Sequence, residues 1–220
     1  MMFADRTEAG KKLAAELTRI VAEDPALTDP VVLALPRGGL PVAIEIARAL
    51  KAPLDLVLVR KIGVPFQPEL AAGAVVDGDD PQLVVNTDVV RLAGLSQADL
   101  DAGEARELKE IERRRDQYLK GRARAPVVNR TVIVVDDGIA TGATTRAALK
   151  ALRRRKPKAL ILAVPVAPED TVAAMRGEVD RVVCLEMPAA FYAIGAHYID
   201  FRQVSDQEVV ALLDEAARDG

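Results

Sequence analysis

The stretch Val132-Ile133-Val134-Val135-Asp136-Asp137-Gly138-Ile139-Ala140-Thr141-Gly142-Ala143-Thr144-Thr145 decides the fold. Its first four residues are β-branched and apolar, the mark of a buried strand. Two carboxylates, Asp136 and Asp137, follow without a gap, and then a loop built on Gly138, Gly142 and small hydroxyl residues. Ala147, Ala148, Leu149, Ala151 and Leu152 carry the chain on as a helix. Loop amides and a helix N-terminus together favour a phosphate. Thr141, Thr144 and Thr145 add hydroxyl donors, and the two carboxylates stand where they could accept hydrogen bonds from ribose hydroxyls. Strand, acidic pair, Gly/Thr loop and helix in this order suit a phosphorylated sugar. A Walker loop, the nearest rival cradle, needs Gly-Lys-Ser/Thr and has no acidic pair. A tight turn with a helix N-cap would account for Thr141-Gly142 alone, but not for the acids in front of it.

Size and composition narrow the classes. A chain of 220 residues, half of them hydrophobic, is long enough for one sizeable α/β domain, and residues 1–220 are read as one unit. The net charge of −3 gives no reason to expect nucleic acid or a membrane surface as partner. The single cysteine, Cys184, lies in an apolar run and forbids an intramolecular disulfide, and the single histidine, His197, forbids a multi-histidine metal centre. No signal peptide and no apolar run of membrane-spanning length is present, which points to the cytoplasm.

Working outward from the central stretch, strands and helices alternate. Residues 6–22 carry apolar positions at helical spacing, 31–35 read as a strand closed by Pro36-Arg37-Gly38-Gly39, and 41–50 as a helix. Residues 54–59 read as a second strand and 60–70, with Gly63, Pro65 and Pro68, as a loop. Short strands are expected at 74–76 and 83–85. A long charged helix is expected from Ser96 to near Gly121, with Arg113-Arg114-Arg115 on its solvated face. Beyond the signature helix, residues 159–166 and 181–185 read as strands, and 169–175 and 207–217 as helices. The alternation predicts a mostly parallel central sheet with helices on both faces and a small C-terminal hood at 185–205. Ligands on such sheets bind beyond the carboxyl ends of the strands. Arg37-Gly38-Gly39, Arg60-Lys61 and Asp136-Asp137 are all expected there. Gly38 and Gly39 are expected to allow positive φ and a close backbone approach to an anion, and Arg37 offers a fork of donors for phosphate.

The 132–145 stretch resembles the phosphoribosyl-pyrophosphate (PRPP) motif of the type I phosphoribosyltransferases: four apolar residues, two acids, a short spacer and Thr-Gly-x-Thr. The resemblance extends over roughly residues 30–205. It implies that Arg37, Gly38 and Gly39 form a pyrophosphate loop, a loop that in the family often holds a cis peptide. It also implies a mobile loop after Arg60 and Lys61 that closes over bound PRPP, with basic residues on the pyrophosphate. Closure of that kind keeps water from a reactive intermediate. Residues 185–195 look like the hood of the hypoxanthine-guanine enzymes, which makes Phe191 or Tyr192 the aromatic that stacks on a base and Asp200 an acid near magnesium. The 6-oxopurine enzymes carry an Asp just before the Thr-Gly, where this chain has Ala140.

The resemblance thus implies a magnesium-dependent transfer of ribosyl 5-phosphate from PRPP to a nitrogen acceptor, a nucleobase first of all, with release of pyrophosphate. Its implied catalytic residues are Asp136, Asp137 and Lys61. Arg37, Gly38, Gly39, Arg60, Lys61, Asp136, Asp137, Gly138, Ala140, Thr141, Gly142, Ala143, Thr144 and Thr145 bind PRPP, and Asp136, Asp137 and Asp200 attend the Mg2+. Homodimers are common in the family. A non-catalytic PRPP- or nucleotide-binding regulator is the alternative, and a hydrolase reusing the ribose site is a third reading.

Overall fold

The computed structural model describes residues 2–65 and 67–219. Its centre is a five-stranded sheet in the order β2 (Leu54–Leu56), β1 (Pro30–Ala34), β6 (Thr131–Val135), β7 (Ala159–Val166) and β8 (Arg181–Glu186). Every pairing in it is parallel. The central strands are buried on both faces, which is why they read as unbroken apolar runs instead of alternating ones. Alternate residues feed two separate cores. Val32, Ala34, Ile133, Val135 and Ile161 pack under α1 (Arg6–Glu23), α2 (Gly39–Leu50) and α7 (Asp206–Asp219). Val31, Leu33, Val132, Val134 and Leu160 pack under α5 (Ala143–Arg154) and α6 (Glu169–Met175). The expected parallel sheet with helices on both faces is what forms. No helix among the described residues is long and apolar enough to cross a membrane.

The segment after β2 departs from expectation. The second strand stops at Leu56, and the chain enters a separate antiparallel sheet of β3 (Val59–Val64), β4 (Gln67–Val76) and β5 (Gln82–Val85). The loop expected at 60–70 is therefore the near half of a hairpin, in which Arg60 pairs with Val75 and Lys61 with Ala74. Gly63, which argued for a loop, sits at a register shift between Ile62 and Val64, so it marks a bulge inside a strand. Of the expected loop, Phe66 lies outside the described residues.

A short helix missed by the sequence reading, α3 (Thr87–Ala93), precedes the long α4 (Gln97–Leu119). Ser96 starts α4 through a capping box with Asp99, as its residue type implied. The Arg113-Arg114-Arg115 run is not one solvated face. Arg113 and Arg114 pair with Glu110 on the surface, but Arg115 is only 9 % exposed. Its guanidinium reaches Asp77 at 2.9 Å and Asp55 at 3.1 Å. Three consecutive helical residues span about 200° of the helix surface, so one of them turns inward. Arg115 thereby ties α4 to the strand β2 and to the end of the hairpin.

Candidate active site

The carboxyl ends of β1 and β6 are neighbours, with Ala34 opposite Val135. The segments that leave them, 36–39 and 136–142, therefore run side by side. Glycine is required at 38 and 39 by proximity, not by dihedral angle: Gly38 has φ −63, against the expectation of positive φ. A Cβ at Gly38 would stand 2.0 Å from Asp137 Oδ2, and one at Gly39 would stand 2.7 Å from the Val135 carbonyl oxygen. The Pro36–Arg37 peptide is cis. The Arg37 side chain leans toward Asp206 in the first turn of α7, 3.7 Å away.

The two acids of the signature have different surroundings. Asp136 accepts from the Asp137 amide at 2.8 Å. Burial first, and then the neighbouring Asp137 charge, push its carboxyl well above the usual carboxylate range. Asp137 is 7 % exposed and its carboxylate is ion-paired with Arg6, Nε to Oδ2 at 2.8 Å. Its carbonyl accepts from the Tyr198 hydroxyl at 2.6 Å. Arg6 is the site residue that the sequence reading missed. It lies 131 positions away in the chain, and its only local signal is a place in the first turn of a helix behind the N-cap Asp5.

Beyond the acids, Gly142 takes φ +75 as the N-cap of α5, which glycine adopts without a Cβ penalty. The amides of the helix's first turn lack partners within the helix and point at the loop. Thr141 and Ala143 are exposed and Thr144 is half-buried, whereas Thr145 is 3 % exposed and belongs to the core side of α5. The Thr171 hydroxyl donates to the Ala140 carbonyl at 2.8 Å and ties this loop to α6.

An open cleft of about 840 Å³ begins at this loop. Ala140, Thr141, Glu169, Asp170, Pro188 and Phe191 are among its walls. Phe191 stacks on the His197 ring, 5.5 Å between centroids, and packs against the cluster of Phe3, Val166 and Tyr198. Tyr192 is 90 % exposed. Of the two candidate aromatics, Phe191 is the one that lines the cleft.

Other expected members lie elsewhere. Arg60 and Lys61 are inside β3, not at the end of β2, and consecutive strand residues face opposite ways. Arg60 pairs with Glu107 of α4 at 3.0 Å, while Lys61 shares its face with Val59, which packs with the cluster beneath α5. Asp200 is drawn to the N-terminus, because the Asp200 and Ile199 amides donate to the carbonyls of Ala4 and Phe3. It lines a smaller cavity of about 290 Å³ with Arg6 and Glu208. Among the described residues no three Asp, Glu, His or Cys side chains are gathered to hold a metal ion, so Asp136, Asp137 and Asp200 do not form such a group.

Known proteins similar to this chain give its family. A family model described as a phosphoribosyl transferase domain matches residues 5–200. Two Mycobacterium tuberculosis proteins, from strains CDC 1551 / Oshkosh and H37Rv and provisionally named phosphoribosyl transferases, are each 50 % identical over 218 residues. That match takes in 99 % of this chain but 48 % of theirs, so the chain spans about half the length of these relatives. The crystal structure of TT1426 from Thermus thermophilus is 41 % identical and superposes with a TM-score of 0.83 over 98 % of this chain and 99 % of that one. With the family model covering most of its length, this chain belongs to the phosphoribosyl transferase family.

Proposed function

We propose that this chain transfers ribosyl 5-phosphate from PRPP to a ring nitrogen of a heterocyclic base and releases pyrophosphate. The observation that carries the reading is the contact between the Arg37-Gly38-Gly39 segment and the Asp136-Asp137 pair at adjoining strand ends, beside an open cleft edged by Phe191. In the reaction, the bond from the sugar C1 to the pyrophosphate oxygen breaks, the oxygen keeps the electron pair, and the acceptor nitrogen bonds to C1 and sheds its proton. The sugar passes through an oxocarbenium-like state, as in glycoside hydrolysis, so no covalent nucleophile is needed. The chain's work is to position the sugar, hold the leaving group and exclude water.

In this reading Thr141, Thr144 and the first amides of α5 hold the 5-phosphate. Asp136 accepts from the ribose hydroxyls. Arg37 and the close-packed backbone at Gly38 and Gly39 receive pyrophosphate. Lys61 adds a positive charge from the hairpin, and Arg60, already paired with Glu107, does not. Phe191 provides a face for the base, and Ala140 leaves no side-chain acid there to serve a 6-oxopurine. A carboxylate beside a polyphosphate is a donor set that suits magnesium, which keeps most of its shell as water and substrate oxygens. Asp136 is the protein oxygen best placed to share it, and bound magnesium would neutralise charge on the leaving pyrophosphate. Residues 1–220 would act as one unit with 185–205 as the hood.

The test is pyrophosphate release from PRPP and magnesium with a panel of nucleobases. Release with at least one base is expected. Tight PRPP binding by calorimetry with no release from any base would replace this reading with that of a non-catalytic PRPP-binding regulator.

A further inference from the structure

We propose that the acceptor is a neutral heterocyclic base with an exocyclic amino group, and that the carboxylates of Glu169 and Asp170 at the start of α6 receive that group. The proposal rests on the function proposed above and narrows its acceptor. It makes Glu169 and Asp170 specificity-determining residues.

The cleft beside the signature loop offers a ligand hydrogen-bond acceptors and few donors. Glu169 and Asp170 are both exposed in its wall, and among the described residues no lysine, arginine or histidine joins them there. No hydrogen bond or ion pair among the described residues engages the Glu169 carboxylate. Asp170 Oδ1 accepts from the neighbouring Thr171 amide at 2.8 Å, which steadies that side chain and leaves its second oxygen uncommitted. The hydroxyls do not supply the missing donors. Thr171 gives its proton to the Ala140 carbonyl at 2.8 Å, and Thr141 in this reading serves the 5-phosphate. Pro168 and Pro188 bring backbone without an N–H.

The fold sets these acids beside the base. β7 pairs with β6 and ends at Val166, and α6 begins at Glu169, so the acids stand beyond the carboxyl end of the strand next to the signature strand. The Thr171–Ala140 bond ties them to the loop at the position that carries no side-chain acid of its own. Phe191 borders the same cleft. A flat base against that ring presents its edge, where exocyclic groups lie, to the remaining walls. An amino group there brings two N–H donors, and N–H bonds to a carboxylate are charge-assisted. A ring carbonyl set against the acids loses its water without gaining a bond, and a carboxylate is also repelled. A site built to bond an N–H discriminates strongly against an analogue without it, because its own polar groups are then left unpaired.

The experiment compares adenine with hypoxanthine, cytosine with uracil, and nicotinate as a carboxylated ring. Pyrophosphate release gives kcat/KM. Calorimetry gives binding of each base to the chain held with ribose 5-phosphate, pyrophosphate and magnesium. In at least one pair the amino member is expected to be preferred by about tenfold or more, with the reverse in neither and nicotinate refused. In Glu169→Gln/Asp170→Asn, whose amides donate as well as accept, that preference is expected to fall to within about twofold. Glu169→Lys is expected to admit nicotinate. PRPP affinity in each variant checks that the loop is intact, and the single amide variants stand in if the double variant does not fold. Preference for hypoxanthine, uracil or nicotinate in wild type would overturn the proposal, and so would an amino preference that survives in the amide variants. The function proposed above fails differently: PRPP binds and no base releases pyrophosphate. The binding comparison then still decides here, and equal or absent binding of the paired bases overturns the proposal.

Discussion

The two sheets of this molecule hold the residues proposed to meet PRPP by different means. At the parallel sheet, the 36–39 loop and the acids stand on the ends of two paired strands, and close packing of Asp137 against Gly38 and of the Val135 backbone against Gly39 sets their separation. The β3–β5 sheet is attached to the rest of the chain by apolar side chains that enter both cores, Ile62 and Val75 on one side and Ala74 and Val76 on the other, and also by charge. Arg115 holds Asp55 in β2 and Asp77 just after β4, Arg124 reaches Asp77 at 2.6 Å, and Arg60 reaches Glu107. Strand pairing leaves a site no freedom, whereas side-chain pairs can be traded one at a time. The difference leaves the 36–39 and 136–142 segments fixed by backbone pairing, and adds to the hairpin's apolar packing a set of ion pairs that single substitutions can remove.

The largest effect that would sharpen this contrast is on stability. Arg115→Ala takes the guanidinium from buried Asp55 and leaves buried Asp77 to Arg124 alone, and should cost about 3–5 kcal/mol. In a chain of this size that lowers Tm by roughly 6–20 °C, read by calorimetry. A loss below about 1 kcal/mol would mean that apolar contacts, not the ion network, attach the hairpin. On the first sheet, Asp136→Asn should fold normally and bind PRPP about a hundredfold more weakly, since a charge-assisted acceptor for the ribose is gone. Unchanged affinity in a folded Asp136→Asn would remove the acid from the ribose site.

Smaller effects separate the cleft from the strand ends. Phe191→Ala should raise the acceptor's KM by the equivalent of about 1–3 kcal/mol of lost stacking and leave PRPP affinity nearly intact. The same change at Tyr192, which is exposed, should do little. A larger effect at Tyr192 would reverse the assignment made from the cleft. The smallest effect is in pH. Asp136 has its carboxyl raised from 3.8 by burial and by Asp137, so the folded chain holds a proton that the unfolded chain has lost. Without ligand, this group's contribution to stability is present at pH below 3.8 and is lost as pH rises through the raised folded value. Denaturant titrations across that window should show a falling slope that Asp136→Asn flattens.

The sequence alone determined the elements whose information is local. Four β-branched residues before Asp136-Asp137 specify a buried strand, Gly142 specifies the turn into α5, and alternation of such units specifies a parallel sheet, at whose carboxyl ends a ligand is expected. Ser96 likewise announced the start of α4. Tertiary structure decided what depends on partners distant in the chain. Gly63 and Pro65 read as loop residues because local turn chemistry was the only signal, yet strand pairing absorbed Gly63 at a bulge. Arg115 read as one of three surface arginines because periodicity does not say which of them meets Asp55 and Asp77, 60 and 38 positions away. Tyr192 looked equivalent to Phe191 because neighbours in sequence share composition, while packing against His197 selected Phe191 alone. Arg6 carried no motif, since an ion pair closed across 131 residues leaves no spacing to read. Backbone preferences and hydrophobic periodicity act over a few residues and can be read from them; buried charge pairing acts across the fold and exists only once the chain has brought its ends together.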